Sequence, residues 1–157
     1  ERRRRRAAQA AYAQELADVR AKEAWLRQLL DAEVEEKEKL SARVEEEIRA
    51  LRRRAFLRTT VGKRVATLAG QDRKDRRRVR VLSAKEQEEL RRVVADIYDD
   101  EVRRLRTSYP RLTDEDVLYV CLTEAGLGTF AVALCFGHSD EQVVYQRRYR
   151  LKQRMGC

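Results

Sequence analysis

The stretch that decides the fold is residues 112–155, LTDEDVLYVCLTEAGLGTFAVALCFGHSDEQVVYQRRYRLKQRM. Thr113, followed three residues later by Asp116, is a capping pattern that opens a helix. Gly126 lies where that helix would end in a left-handed turn. The sequence therefore predicts one helix from Thr113 to just before Gly126.

Two further helices are predicted after Gly126. A short apolar helix covers residues 129–136, the turn Gly137-His138-Ser139 follows, and a long basic helix runs over residues 140–155. Two helices joined by a short turn that contains glycine, with cations on the second, form the helix-turn-helix unit, which places side chains in a DNA major groove.

The order of these residues resembles the LuxR-type effector domain at the C-terminus of bacterial response regulators. The resemblance covers residues 112–157, the last third of the chain, and implies a DNA-binding transcriptional regulator with double-stranded DNA as its partner. The residues that carry it are Leu112, Thr113, Gly126, Val132, Ala133, Phe136, Gly137, Ser139 and the run from Arg147 to Lys152.

The middle helix departs from that family. The family has Lys-Glu on its outer face, whereas this chain has Phe130 and Ala131, followed by Leu134 and Cys135. A helix that is apolar on every side is normally buried on every side. We therefore expect Phe130 and Leu134 to be covered by a partner, by another helix or by the N-terminal segment. An apolar middle helix also favours an alternative function, a protein-docking module that does not bind DNA.

Candidate DNA contacts lie on the last helix. With Val144, Leu151 and Met155 directed to the core, the 100° step per residue points the glutamines, tyrosines and several cations outward. Glutamine pairs bidentately with adenine, whereas arginine reads guanine or binds phosphate. The predicted DNA-binding residues are Gln142, Tyr145, Gln146, Arg147, Arg148, Tyr149, Arg150 and Lys152. Gln153 also points outward, and Arg147, Arg148, Lys152 and Arg154 suit phosphate contact.

The N-terminal third predicts a long helix that pairs with a second copy. Residues 8–55 contain no Gly or Pro and are rich in Ala, Glu, Lys, Arg and Leu. Apolar residues recur in alternating steps of four and three, with a stutter after Val44. We predict a coiled coil over residues 8–58 and a homodimer through residues 8–56. A solvated single helix is the alternative.

Residues 59–111 are predicted to be a helical connector. Thr59-Thr60-Val61-Gly62 indicates a break, and a helix resumes before Gly70. A polar loop rich in cations covers residues 70–80. Ser83 with Glu86 is a second capping box, which opens a helix whose apolar spacing continues to Leu105.

Composition disfavours catalysis. The net charge is +9, which attracts polyanions. His138 is the only histidine, no nucleophile and base stand together, and the glycines are scattered at structural breaks. Cys121, Cys135 and Cys157 have no metal-ligand spacing and predict buried thiols in a reducing compartment. No enzyme activity, cofactor or metal is expected.

The arginines Arg2–Arg6 make residues 1–7 a basic flank. They suit the cytoplasmic side of a membrane helix upstream of the chain, and equally suit a solvated basic stretch or attachment to a membrane surface. The sequence thus predicts an all-α chain in the cytoplasm. Its long coiled-coil helix would precede a small helical domain ending in a helix-turn-helix.

Overall fold

The computed structural model describes residues 1–156, in which helices joined by loops and turns are present and no β-strand occurs. The all-α prediction is confirmed. The α-helices are α1 (Arg2–Arg58), α2 (Thr60–Ala69), α3 (Ala84–Ile97), α4 (Asp99–Ser108), α5 (Asp114–Glu124), α6 (Thr129–Cys135) and α7 (Gln142–Arg154), with a 3₁₀ turn over Arg76–Arg78.

The chain divides into two compact units, residues 1–46 and residues 47–157. The first unit consists of α1 as far as Glu46, and its side chains are exposed except for a half-buried Leu16. The exposed side chains include large apolar ones, among them Leu26 at 49% and Leu30 at 60%. Nothing in the described residues 1–156 covers these apolar positions.

The second unit contains the hydrophobic core. Buried side chains come from the end of α1 and from every later α-helix, with Phe56, Leu90, Leu122 and Leu134 at 0% exposure. The end of α1, which the sequence assigned to the coiled coil, therefore belongs partly to this core. Arg53 links the end of α1 to α5, because its Nε donates a hydrogen bond of 2.9 Å to the carbonyl of Glu124 at the end of α5.

The predicted break at residues 59–62 lies between α1 and α2. Thr59 is the N-cap of α2: its hydroxyl accepts a hydrogen bond from the amide of Gly62 and donates one to the carbonyl of Phe56. Gly62 is required here because the α2 backbone passes so close to α1. A Cβ at residue 62 would lie 1.9 Å from the Phe56 carbonyl oxygen.

The helix predicted to run from Ser83 to Leu105 is in fact two helices, α3 and α4. The Ser83–Glu86 capping box forms as expected, but the backbone leaves helical geometry at Tyr98, with φ −104° and ψ 26°. The Tyr98 ring is buried, and the guanidinium of Arg52 lies 5.8 Å from its centre. Apolar spacing alone does not reveal this bend, since the periodicity continues through it.

Gly62→Ala should lower the free energy of unfolding by about 2–3 kcal/mol, because its methyl group meets backbone that has no room to move. Gly70→Ala is the matched control. Its Cβ would be 3.6 Å from the nearest carbonyl oxygen, at an ordinary φ of −83°. Its effect should stay within about 1 kcal/mol and on the stabilising side. Urea unfolding followed by circular dichroism measures both, and equal effects would contradict the close-packing argument.

Candidate nucleic-acid interface

The middle helix α6 is buried on all sides, and this chain itself supplies the cover. Phe130 is 4% exposed and Leu134 is 0% exposed. Helix α2 packs along α6, and the amide of Leu82 donates to the carbonyl of Leu134 at 3.2 Å. The Arg73 guanidinium also lies 3.9 Å from the centre of the Phe130 ring. The expectation that Phe130 and Leu134 are covered is confirmed.

Helix α5 begins and ends as predicted. The amide of Thr113 donates to the Asp116 carboxylate at 3.0 Å, and the Asp116 amide donates to the Thr113 hydroxyl at 3.2 Å. Gly126, with φ +83°, makes the left-handed turn after α5. These local interactions fix the direction in which the chain enters α6.

The turn before α7 is longer than predicted. It covers residues 136–141, and α7 begins at Gln142 rather than at Asp140. Gly137, at φ +81°, reverses the chain, and the Asp140 carboxylate accepts a hydrogen bond of 2.9 Å from the amide of Gln142. Asp140 therefore satisfies an amide at the start of the helix and stays outside it.

Helix α7 has one inner side and one outer face. Val144 and Leu151 are buried, as predicted, and Met155 is half-buried just after the helix. We define the outer face of α7 as its exposed polar residues away from this core. They are Gln142, Tyr145, Gln146, Tyr149, Arg150, Lys152 and Gln153. Helix α7 contains five cations and no carboxylate.

Arg147, also predicted as a DNA contact, points into the domain instead. Its guanidinium lies 2.7 Å from the Glu115 carboxylate and 3.6 Å from Asp116, and only 19% of the side chain is exposed. It also lies 4.7 Å from the centre of the Phe136 ring. Arg154, predicted to suit phosphate, likewise pairs with Asp116 at 2.5 Å. Both arginines hold α7 onto α5 and do not belong to the outer face.

Arg148 lies at the flank of the outer face. It is exposed, its Nε donates a hydrogen bond of 3.1 Å to the Tyr119 hydroxyl, and its guanidinium lies 5.8 Å from the Tyr145 ring centre. Arg148 makes no ion pair among residues 1–156, so it stays compatible with phosphate contact.

The loop 70–80 lies beside the start of α7, which the sequence did not predict. Arg73 pairs with Glu141 at 3.0 Å, and Arg76 pairs with Asp140 at 3.8 Å. Loop and helix together line a depression of about 330 Å³, to which Gln142 and Tyr145 contribute. No motif or periodicity in the sequence relates the loop to the start of α7, because the two segments lie far apart in the chain. The only indication in the sequence is their opposite charge, a run of cations in the loop and the acidic pair Asp140 and Glu141 before α7.

Asp116 is fully buried and keeps its charge. Burial alone would raise the pKa of its carboxyl, but hydrogen bonds from Thr113 and Arg154 outweigh burial and hold the pKa below its ordinary value of 3.8. The other carboxylate oxygen, Oδ1, is buried and receives no hydrogen bond among residues 1–156, but the guanidinium of Arg147 lies 3.6 Å from it. Asp116 is thus both the cap of α5 and the anchor of α7.

The cysteines Cys121 and Cys135 are buried and unpaired, as predicted. Burial raises the pKa of each thiol to about 12, which makes both unreactive. Cys157 lies outside the described residues. His138 is exposed in the turn. Within residues 1–156, no group of three or more potential ligands is arranged to hold a metal ion, and no helix is both long and apolar enough to cross a bilayer.

Asp116→Asn should lower the free energy of unfolding by about 2–3 kcal/mol at neutral pH, because two arginines lose their buried partner while remaining partly solvated. A depressed folded pKa stabilises the protein above the unfolded value and loses that contribution as pH falls through the folded value. The difference between wild type and variant should therefore shrink below pH 3.8.

Glu115→Gln is the control for this prediction. Glu115 also pairs with Arg147, but 54% of its side chain is exposed, so its loss should cost less than about 1 kcal/mol. Urea unfolding at several pH values compares the three proteins. Equal destabilisation by both substitutions, or a difference that does not depend on pH, would remove Asp116 from its anchoring role.

Comparisons of this chain with family models, with curated proteins and with solved structures find no match. The resemblance of residues 112–157 to LuxR-type domains therefore rests on the motif residues themselves.

Proposed function

We propose that this chain is a DNA-binding transcriptional regulator that binds duplex DNA through the outer face of α7 and dimerises through α1. The observation that carries the proposal is that outer face: exposed, polar and cationic, on a helix without a single carboxylate. A helix in the major groove lies between two phosphate backbones, so carboxylates on it would be repelled. The proposal places the chain in the cytoplasm.

The outer face carries two kinds of contact. Gln142 and Gln146 lie one turn apart, and each offers an amide that pairs with adenine in the major groove. Arg150 and Lys152 make no ion pair within residues 1–156 and are free to bind phosphate. Tyr145 and Tyr149 are 48% and 66% exposed and suit contact with phosphate or with thymine methyl groups.

The inner side of α7 supports this role by rigidity. A base-reading side chain is useful only when its helix is held in a fixed register. Asp116 holds α7 at two points about two turns of helix apart, Arg147 and Arg154, while Val144 and Leu151 pack into the core. These contacts fix which side of α7 faces the core and therefore which residues form the outer face.

The structure leaves less support for the alternative function, a protein-docking module. The observation that favoured it was the apolar middle helix, and α6 is covered by α2 and by Arg73 of the same chain. No unsatisfied apolar surface of α6 is left to attract a partner. A chain without duplex affinity remains the outcome that would favour docking.

The proposed dimer joins two copies of α1 in parallel. The apolar residues Tyr12, Val19, Leu26, Leu30 and Leu40 occupy positions of a repeat that advances by four and three residues in turn, and all five are about half exposed or more in the single chain. Pairing buries this apolar stripe, and it also buries part of the polar residues that share the seam, which weakens the dimer. In a parallel pair both copies of the second unit follow the same end of the coil, and dimeric helix-turn-helix proteins bind two half-sites about one helical turn apart.

Two substitutions on the outer face should separate affinity from sequence preference. Arg150→Ala should weaken binding to all duplexes alike and reduce the salt dependence of log K by about one unit, because one phosphate contact is lost. Gln146→Ala should instead relax preference at one base position by roughly 1–3 kcal/mol and leave the salt slope unchanged. Fluorescence anisotropy on a selected and a scrambled duplex measures both quantities.

Negligible affinity of the wild-type chain for both duplexes would overturn the DNA-binding proposal. Binding that depends on neither residue would show that another surface makes the contact.

Leu26→Asp and Leu30→Asp should convert the dimer into monomers at tens of micromolar, because each puts an unpaired charge into the seam. Gln28→Asp is the control: it adds the same carboxylate between them, on the side of α1 away from the seam. Sedimentation equilibrium distinguishes the species. A wild-type monomer with and without DNA would contradict the coiled-coil dimer and favour the solvated single helix.

A further inference from the structure

We infer that the loop 70–80 is a second DNA-contacting element, a phosphate clamp beside the start of α7. This inference rests on the proposed function of α7 and adds a contact that the helix-turn-helix residues do not contain. The ligand is the sugar-phosphate backbone of the same duplex, next to the groove that α7 occupies.

The first support is position. Arg73–Glu141 and Arg76–Asp140 hold the loop against the two residues that precede α7. Gln142 and Tyr145 of the outer face line the same depression as Arg73 and Arg76. When the first turn of α7 enters a major groove about 12 Å wide, groups beside that turn meet the backbone that borders the groove.

The second support is order. Gln71 closes the loop, since its Nε2 donates to the carbonyl of Arg80 at 2.9 Å and its Oε1 accepts from the Arg80 amide at 2.8 Å. Asp75 caps the 3₁₀ turn through a 3.0 Å hydrogen bond from the Arg77 amide. The cations of the loop are therefore presented from a fixed backbone, which lowers the entropic cost of holding them on a phosphate.

The third support is charge that internal pairing does not neutralise. The loop has six cations, and the carboxylates around them are Asp72 and Asp75 within the loop and Asp140 and Glu141 across from it. The cluster thus keeps a net charge of +2 on these counts. Lys74 and Arg77 are exposed and make no side-chain ion pair within the described residues. Arg80 is likewise exposed and without an ion pair among residues 1–156, but it lies at the base of the loop that Gln71 closes. Lys74 and Arg77, in the middle of the loop, are therefore the two cations that we assign to phosphate.

The test is the double variant Lys74→Ala/Arg77→Ala in the full chain. Neither side chain is buried or paired, so folding should be unaffected. The control is Arg58→Ala/Lys63→Ala, which also removes one exposed arginine and one exposed lysine, at the opposite end of α2 from the loop. The probe is a labelled duplex pool of about 30 base pairs, long enough for two half-sites.

The loop variant should bind every duplex more weakly, and the slope of log K against log salt should be reduced by about two units per chain. When the salt concentration rises fourfold, the loss of affinity should therefore be about tenfold smaller for the variant than for the wild type. Preference between the selected and scrambled duplexes should not change. The control variant should keep the wild-type slope.

Three outcomes would overturn the inference. If the wild type binds DNA and the loop variant keeps its slope, the clamp is wrong while the function of α7 stands. If the salt slope falls equally in both double variants, the loop has no specific role and binding depends only on the overall charge of the chain. If the wild type binds no duplex, the proposed function fails together with the clamp, and loop-dependent binding to phosphatidylserine vesicles would then assign the loop to a membrane surface.

Discussion

The buried carboxylate of Asp116 is the interaction on which the candidate interface depends. It accepts a hydrogen bond from the Thr113 amide at the start of α5 and pairs with Arg147 and Arg154 of α7. A buried charge with one partner removed is costly, so the three side chains constrain each other. That constraint decides which side of α7 faces inward. Because Arg147 and Arg154 bind Asp116 on the inner side of α7, the glutamines and tyrosines of the same helix point to solvent.

The burial of α6 is the second constraint on the interface. Its apolar outer side needs a cover, and the chain provides one from α2 and from Arg73 of the loop 70–80. Covering Phe130 brings a basic loop to the start of α7, where Asp140 and Glu141 receive it. The apolar outer side of α6 thus comes together with a cationic surface next to the outer face of α7.

Local signals in the sequence predicted most of the fold. The capping pairs Thr113–Asp116 and Ser83–Glu86, the left-handed Gly126 and the break at Thr59 depend on residues a few positions apart, and each is present. What the sequence did not reveal depends on tertiary contacts. The inward role of Arg147 requires Asp116, which is distant in sequence, and the bend at Tyr98 depends on packing under Arg52. Helical periodicity placed Val144 and Leu151 in the core, but it cannot distinguish an arginine that binds phosphate from one that binds a buried carboxylate.

The most direct measurement of the central claim is methylation interference on a duplex selected from a random pool by the full chain. Dimethyl sulfate modifies guanine N7, which lies in the major groove, and adenine N3, which lies in the minor groove. If α7 reads the major groove, methylated guanines within each half-site should be excluded from the bound fraction, while methylated adenines should be retained. Exclusion at adenines alone, or a pool from which no duplex is retained, would contradict this account.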